Sequence, residues 1–228
     1  MEFSATHKIV QALTQAIVAH RLQPGAKLSE QKLADHFGVS RTLVRQAFLQ
    51  LSQHQLIRLE PARGAFVAAP SATEARDVFA VRRMLEAEMT RQFISQVTPA
   101  KIKTLKAHVA QEKLAVDDND AHERTALLGD FHVCLAKLMG NDVLTQVLGQ
   151  LISRCALITL MYQSDSAARH SHEEHGHIIK ALAARDEALA VQLMQQHLTH
   201  VEENLDFNRA PASIVITSAL GQFSDETT

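Results

Sequence analysis

Two short helix patterns separated by one glycine, within residues 29–51, constrain the fold of this chain more than any other feature. Apolar residues recur at helical spacing in both patterns, and Gly38 between them ends the first. Ser29 and Ser40 stand at the two starts, where a serine hydroxyl can accept a hydrogen bond from a free backbone amide. The apolar stripes consist of Leu33, Ala34 and Phe37, then Val44, Ala47, Phe48 and Leu51. Two helices that meet at so tight a turn predict a helix-turn-helix.

The flanking sequence extends this motif on both sides. A further helix pattern over residues 9–19 is followed by Pro24 and Gly25, which stop it. After the second short helix, strand patterns at 56–59 and 65–68 are joined by a turn that contains Pro61 and Gly64. Three helices followed by a hairpin predict a winged helix-turn-helix domain over residues 1–70.

The exposed face of the second short helix carries two arginines, Arg41 and Arg45. In a winged helix-turn-helix this face enters the major groove, where an arginine fork binds guanine or a phosphate. Arg63, at the hairpin tip, is placed to reach the adjacent minor groove. A solvated charged face is the alternative for single arginines, but the complete order of elements favours DNA contact. The residues that we expect to contact DNA are Ser40, Arg41, Thr42, Arg45, Arg63 and Gly64.

The stretch LQPGAKLSEQKLADHFGVSRTLVRQAFLQLSQHQLIRLEPARGAFV resembles the N-terminal domain of GntR-family transcription regulators. The resemblance lies in the PG turn, the L-x-E-x-x-L-A helix, the G-V-S-R-T-x-V-R-x-A core and the R-G-x-x-V wing. Leu43 replaces the family's usual proline and Gln46 its usual glutamate, and neither change affects the two arginines. The resemblance implies a bacterial regulator, not an enzyme, that binds double-stranded operator DNA. A homodimer is expected, because two-fold pairing reads a palindrome.

Charge is divided unevenly along the chain. Residues 1–70 carry eight Lys/Arg against four Asp/Glu, and the remainder carries fifteen against twenty-one. A basic head before an acidic body suits a nucleic-acid module joined to a second domain. We find no run of about 18 uncharged apolar residues and no apolar segment of a signal peptide at the start, so we expect a cytoplasmic protein without membrane contact. Cys134 and Cys155 lie in helix patterns and are expected to be reduced.

Residues 71–208 have helical periodicity without strand-like alternation and predict an all-helical bundle. The predicted helices are 73–95, 99–116, 121–139, 142–163, 168–184 and 186–207. Residues 209–228 form a tail that is too short and mixed to assign. The expected fold class is therefore mainly α, with an N-terminal winged helix-turn-helix domain followed by a helical effector domain.

Three of the thirteen histidines share a helix face with apolar residues: His132, His175 and His197. One such histidine alone is most often a hydrogen-bonded core residue. Three on separate helices could instead converge as neutral imidazole ligands of a zinc-like divalent cation, as bundle cores allow. Spacing leaves both interpretations open. His177 and His200 point away from these faces and are expected to be solvated.

The segments GDFHVCLAKLMGN and EEHGHIIKALAARDEALAVQLMQQHL resemble the FCD effector domain of the FadR-type GntR subfamily, and VRRMLEAE matches its first helix. The resemblance implies that residues 71–208 bind a ligand and form the dimer. It also implies a divalent metal at the floor of the ligand cavity, held here by His132, His175 and His197. Many members have an aspartate four residues before the first histidine, where this chain has Leu128. The departure leaves three outcomes open: a site with three protein ligands, a weak site, or none.

Two arginines, Arg82 and Arg154, fall on apolar stripes of the helical region. An inward arginine needs an anion, which is either a carboxylate effector or an acidic neighbour such as Glu86. We expect both arginines to contact the effector.

Together these patterns predict a dimeric regulator whose operator binding responds to a small metabolite, expected to be a carboxylate. One alternative is a metal-dependent hydrolase with an accessory DNA-binding domain, because three histidines and an open metal position also describe a catalytic centre. The sequence HEEHGH does not have the HExxH spacing, and Glu173 or Glu174 is the remaining general base. A second alternative is a constitutive DNA binder with a structural metal.

Overall fold

The computed structural model describes residues 4–117, 121–162 and 167–207, and it confirms the predicted fold class. The first part of the chain forms a winged helix-turn-helix. Its elements are α1 (Ala5–Val18), β1 (Lys27–Leu28), α2 (Glu30–Phe37), α3 (Arg41–Gln53), β2 (Ile57–Glu60) and β3 (Gly64–Val67).

The turn between α2 and α3 forms as its residues predict. The hydroxyls of Ser29 and Ser40 accept hydrogen bonds from the backbone amides of Lys32 and Leu43. Gly38 adopts a left-handed conformation with φ of 62°, which glycine reaches without the steric penalty of a Cβ atom. The capped ends and the left-handed residue set the angle between the two helices, which turns α3 outward.

Strand β3 lies between β1 and β2 and pairs antiparallel with both. Strand β1 is absent from the predicted elements, because two residues are too few to show an alternating pattern. It forms because the backbone after Gly25 runs beside β3, which places Leu28 opposite Ala65. Strand β1 therefore attaches the wing, which is the hairpin of β2 and β3, to the helices.

The second part of the chain is the predicted helical bundle. Its helices are α4 (Ala72–Ser95), α5 (Pro99–Asp117), α6 (Ala121–Met139), α7 (Asp142–Tyr162), α8 (Ala167–Ala184) and α9 (Glu187–Glu203). Helix α9 ends four residues before the predicted bound, because the chain turns at Asn204 and the amide of Asp206 then donates to the carbonyl of Tyr162. The predicted tail at 209–228 lies outside the described residues.

Helix α4 begins directly after Pro70, where the two parts of the chain meet. Ser71 and Glu74 form a reciprocal capping box, in which each side chain accepts a hydrogen bond from the other's backbone amide. The hydroxyl of Tyr162 donates to the carbonyl oxygen of Pro70 at 3.0 Å. These bonds tie the linker to the ends of α4 and α7.

Helix α7 contacts both parts of the molecule. By length and composition alone it is apolar enough to cross a membrane, which is weak evidence because core helices of globular proteins pass the same test. Here it packs against α1, α4 and α6. Leu148 and Leu157 are fully buried, Leu148 in the bundle and Leu157 in the core of the winged domain.

Candidate metal centre and DNA-binding surface

Three buried imidazoles from three helices converge inside the bundle. They belong to His132 on α6, His175 on α8 and His197 on α9. The Nε2 atom of His197 lies 3.3 Å from Nε2 of His132 and 3.3 Å from Nε2 of His175. The ring of Phe131 stacks on His175 with centroids 3.9 Å apart and so restrains its orientation. The structure thus brings together the three histidines that the sequence singled out.

Each of these histidines has a carboxylate behind it, on the Nδ1 side. Nδ1 of His175 lies 3.0 Å from both oxygens of Glu112, and Nδ1 of His197 lies 2.7 Å from Oε2 of Glu174. Nδ1 of His132 is 2.5 Å from Oε2 of Glu86, although this contact lacks the alignment of a regular hydrogen bond.

A carboxylate that accepts a hydrogen bond from Nδ1–H keeps the proton of a neutral imidazole on Nδ1, and the Nε2 lone pair is then free to bind a metal. We assign the tautomers from these contacts. Three lone pairs directed at one small volume repel one another unless a cation lies between them. Ligands about 2.0–2.1 Å from a tetrahedral zinc ion are roughly 3.3 Å apart. Two of the three separations match this value, and all three ligand atoms lie within 4.8 Å of one another, so the donor set suits a zinc-like divalent cation.

The electrostatics of the cluster favour neutral ligands. Burial lowers the pKa of His132 and of His197 to about 4, although Glu86 and Glu174 act in the opposite direction. Burial also lowers the pKa of His175. All three imidazoles are therefore uncharged at neutral pH, which is the protonation state that a metal requires.

Leu128 occupies the position of the aspartate that many FCD domains have. It is half-buried on α6, one helical turn before His132, and has no atom that binds a metal. Asp130 lies on the exposed side of the same helix. Within the described part of the chain, the group of side chains that could hold a metal therefore consists of the three histidines.

Arg82 is buried on α4 next to this cluster. Its Nε atom donates to Oε1 of Glu86 at 2.7 Å, and Nη1 lies 3.4 Å from Sγ of Cys155. Burial disfavours the Glu86 anion, but Arg82 and His132 outweigh that effect and lower its pKa to about 2. The acidic neighbour of Arg82 is thus Glu86, one of the two anions that the sequence allowed. Nη2 of Arg82 is buried without a hydrogen-bond partner among the described residues.

Arg154 is half-buried on α7. The pKa of Glu74, in the first turn of α4, is lowered mainly by hydrogen bonds with Ser71, and the charge of Arg154 makes a smaller contribution in the same direction. Its neighbour Cys155 is the α7 residue that contacts Arg82. An effector contact for Arg154 stays a prediction.

The remaining histidines near the cluster have other surroundings. His177 is exposed, as its position on the helix predicts, whereas His200 is exposed but lies 2.5 Å from Glu174 through Nδ1. His172 is half-buried, with Nδ1 3.5 Å from Glu112. His108 contacts the same carboxylate and bonds to the carbonyl oxygen of Leu127. These side chains surround the carboxylates rather than the three Nε2 atoms.

The second candidate surface is the outer face of α3, where Arg41, Thr42 and Arg45 are exposed. Ser40 caps the helix with its hydroxyl. Both arginines contact one carboxylate, that of Glu30 at the start of α2, at 3.0 Å from Arg41 and 2.9 Å from Arg45.

The tip of the wing carries Arg63 and Gly64. Arg63 is exposed, pairs with Glu60 at 2.5 Å and lies over the ring of Phe66. Gly64 has a φ of 103°, which favours glycine, and opens β3. Arg63 is therefore displayed at the end of the hairpin, in the position that the sequence predicts.

Comparison with known protein families matches both parts of the chain. Residues 5–67 match the family described as bacterial regulatory proteins, gntR family, and residues 77–200 match the FCD domain. The chain belongs to the GntR family. Its FCD domain is consistent with the FadR subfamily, so it is a DNA-binding transcriptional regulator with a C-terminal effector domain.

Known GntR-family proteins resemble the chain over most of its length. It is 26% identical over 199 residues to the HTH-type transcriptional repressor RspR of Escherichia coli K12, covering 87% of each chain. It is 23% identical to the gluconate operon transcriptional repressor of Bacillus subtilis, covering 87% of this chain and 84% of that protein. A crystal structure of a GntR regulator from Rhodococcus sp. RHA1 superimposes with a TM-score of 0.77 at 25% identity, over 88% and 97% of the two chains.

Three roles were not predicted from the sequence: those of Glu112 and Glu174 behind the histidines, and that of Glu30 between the arginines. For Glu174 the sequence suggests only the role of a general base. Helical periodicity could have placed Glu112 on the buried side of its helix, because it shares a face with Leu105 and Ala115. Its partner is set by the packing of α5 against α8.

Proposed function

We propose that this GntR-family regulator binds its operator through α3 and the wing, and that a small carboxylate in the FCD domain modulates this binding. In this proposal a divalent metal is held by His132, His175 and His197. The observation that carries it is the convergence of three Nε2 atoms with carboxylates on the Nδ1 side. They lie next to an arginine whose Nη2 has no hydrogen-bond partner among the described residues. The protein would act in the cytoplasm, where its DNA lies.

The metal would supply positive charge with coordination positions that the protein leaves open. A carboxylate is a ligand that a zinc-like ion accepts. Arg82 is suited to bind the same anion, because Glu86 accepts a hydrogen bond from Nε and Nη2 is still available as a donor. The buried positive groups therefore favour a small anion over a neutral metabolite.

The carboxylates Glu112 and Glu174 would orient the ligands rather than react. Each accepts a hydrogen bond from Nδ1, on the side of the imidazole opposite the metal-facing nitrogen. This arrangement weakens the hydrolase alternative, since Glu174 is held between His197 and His200. Glu173, the other candidate base, is exposed. Two of the similar proteins named above are repressors of transcription, which also favours a regulator.

We propose that the regulator works as a homodimer formed by the FCD domain. Exposed apolar side chains occur on two adjacent helices of the bundle: Val81 and Met84 on α4, and Val143 and Val147 on α7. Such side chains are suited to a symmetric interface. In a dimer, two winged domains bind two half-sites of a palindrome. Analytical ultracentrifugation of the parent protein and Met84→Glu tests this, and a monomeric parent would contradict it.

DNA affinity measured with and without metal and ligand tests the proposed sensing. The probe is the duplex that the parent protein selects from a random pool, called here the selected duplex. Its affinity is measured by fluorescence anisotropy for zinc-loaded and chelator-treated protein, across a panel of small mono- and dicarboxylates. We expect at least one carboxylate to change the affinity of loaded parent protein, and Arg82→Lys, which keeps the charge beside Glu86, to weaken that response.

The outcomes separate the three functions. A bound metal with no response of DNA affinity or melting temperature to any carboxylate would favour the structural-metal alternative. Turnover of a carboxylate derivative that binds would favour the hydrolase. Failure to select any duplex would contradict DNA recognition itself.

A further inference from the structure

Glu30, on α2, contacts the two exposed arginines of the neighbouring helix α3. It is the first residue of α2, eleven and fifteen positions before Arg41 and Arg45. Nε and Nη2 of Arg41 donate to Oε2 at 3.3 and 3.0 Å, and Nε of Arg45 donates to both carboxylate oxygens at 2.9 Å. One carboxylate therefore binds both arginines of the exposed face of α3.

The atoms used in these bonds determine what remains available for DNA. Arg45 contacts Glu30 through Nε, at the inner edge of the guanidinium. Its two terminal Nη groups form the fork that binds O6 and N7 of guanine. An arginine held at Nε can present this fork in one direction. Arg41 uses Nε and Nη2, which leaves Nη1 for a phosphate or base.

We propose that Glu30 is a positioning residue for DNA recognition, which holds Arg41 and Arg45 in the orientation that reads the operator and lowers their affinity for DNA of other sequence. This inference rests on the proposed DNA contacts of the two arginines. Both parts have a physical cause. A restrained arginine loses less rotamer entropy when it binds a base, and a nearby carboxylate offsets the charge that attracts phosphates.

The role concerns specificity rather than stability. Exposed ion pairs add little to the free energy of folding, and both arginine side chains are more than half exposed. The carboxylate of Glu30 is nonetheless held in place by two arginines, and the hydrogen bond from Arg45 is the main cause of the lowered pKa of Glu30. The effect of removing it should thus appear in DNA binding, not in the melting temperature.

Three substitutions test the proposal in the full-length protein. Glu30→Gln removes the charge, and Glu30→Asp keeps the charge but shortens the side chain by about 1.5 Å, one carbon–carbon bond. Asp35→Asn is the matched control, because Asp35 is an exposed carboxylate on the same helix whose partner is Gln31. Affinity is measured over a salt series for the selected duplex and for a scrambled duplex of equal length and composition.

For Glu30→Gln we expect affinity for the scrambled duplex to rise. The slope of log affinity against log salt concentration should become steeper by about one. The ratio of selected to scrambled affinity should fall roughly three- to tenfold, as expected for losing two exposed ion pairs. Glu30→Asp should lower that ratio without raising scrambled affinity, because the net charge is unchanged. Asp35→Asn should leave the ratio near that of the parent.

Equal ratios for Glu30→Gln, Glu30→Asp and Asp35→Asn would overturn the proposal. So would an unchanged effect of Glu30→Gln in an Arg41→Ala, Arg45→Ala background, since Glu30 would then act without the arginines. If the melting temperature of Glu30→Gln is clearly below that of the parent protein, Glu30→Asp provides the test, because it keeps the negative charge at the start of α2. Full operator affinity of the Arg41→Ala, Arg45→Ala protein would instead contradict the proposed arginine contacts themselves.

Discussion

The Nε2 atom of His20, just after α1, donates a hydrogen bond to the carbonyl oxygen of Ala156 in α7 at 3.1 Å. This bond joins the winged domain to the effector domain. The residues on either side of Ala156 extend the connection, because Cys155 contacts Arg82 and Leu157 is buried in the core of the winged domain. Three consecutive residues of α7 thus link the surroundings of the histidine cluster to the winged domain.

Leu157→Ala should therefore destabilise the winged domain, although the residue belongs to the effector domain. Leu157 has no exposed surface, and truncating a buried leucine typically costs about 2–5 kcal/mol of unfolding free energy. Chemical denaturation followed by circular dichroism measures the change. Leu114→Ala on the exposed side of α5 is the control and should change stability by less than about 0.5 kcal/mol. Equal effects of the two substitutions would contradict this packing.

Arg45→Ala should weaken binding to the selected duplex about ten- to a hundredfold, because it removes the guanidinium fork that we propose to bind a base. Arg63→Ala should weaken binding by a smaller factor, if the wing reaches the minor groove as we propose. Neither change should lower the melting temperature, because both side chains are exposed. Anisotropy at fixed salt provides the measurement. Arg91→Ala, an exposed arginine of α4, is the control, and a loss as large as that of Arg45→Ala would argue against specific contact.

Purified protein should carry up to one divalent cation per chain, removable by a chelator. Replacing His132, His175 or His197 with alanine should sharply lower the metal content, because two remaining ligands hold a cation weakly. Elemental analysis gives the stoichiometry. His177→Ala, an exposed histidine on the same helix as His175, should retain the metal. Full occupancy after loss of any one of the three would rule out the site.

Leu128→Asp should tighten metal binding by adding a carboxylate one helical turn before His132. The same change in a metal-free core would place a charge at a half-buried position without a cation and lower the melting temperature. Leu128→Asn is the matched control, since asparagine has nearly the same shape as aspartate but no charge. Metal titration and melting of the three proteins decide the matter. A lower melting temperature with no gain in metal affinity would exclude the three-histidine site.

Chelator-treated protein should lose stability as the pH falls from about 6.5, the pKa of an unfolded histidine, toward 4. Burial lowers the folded-state pKa of His132 and His197 to about 4, so between these values the unfolded chain binds more protons. The free energy of unfolding then decreases on acidification, by on the order of a few kcal/mol. Urea denaturation at several pH values measures the slope. His132→Asn should reduce it, and a flat profile between pH 7 and 5 would contradict the burial of neutral imidazoles.

The local signals in this sequence determined most of the fold. Cap residues, helix-breaking residues and apolar periodicity are properties of neighbouring positions, so they predicted the turn at Gly38, the wing and the six helices of the bundle. The same periodicity placed His132, His175 and His197 on buried faces. The motif spacing placed Arg41 and Arg45 on an exposed one.

Tertiary structure decided which of these faces meet. Periodicity gives the direction of a side chain from its own helix axis, whereas the distance between atoms on different helices depends on how the helices pack. Glu112 from α5 and Glu174 from α8 reach their histidines through packing that no local pattern records. Glu30 reaches Arg45 across a turn for the same reason. The sequence determined the ligands that point inward, and the packing of six helices determined that three of their Nε2 atoms lie close enough to bind one ion.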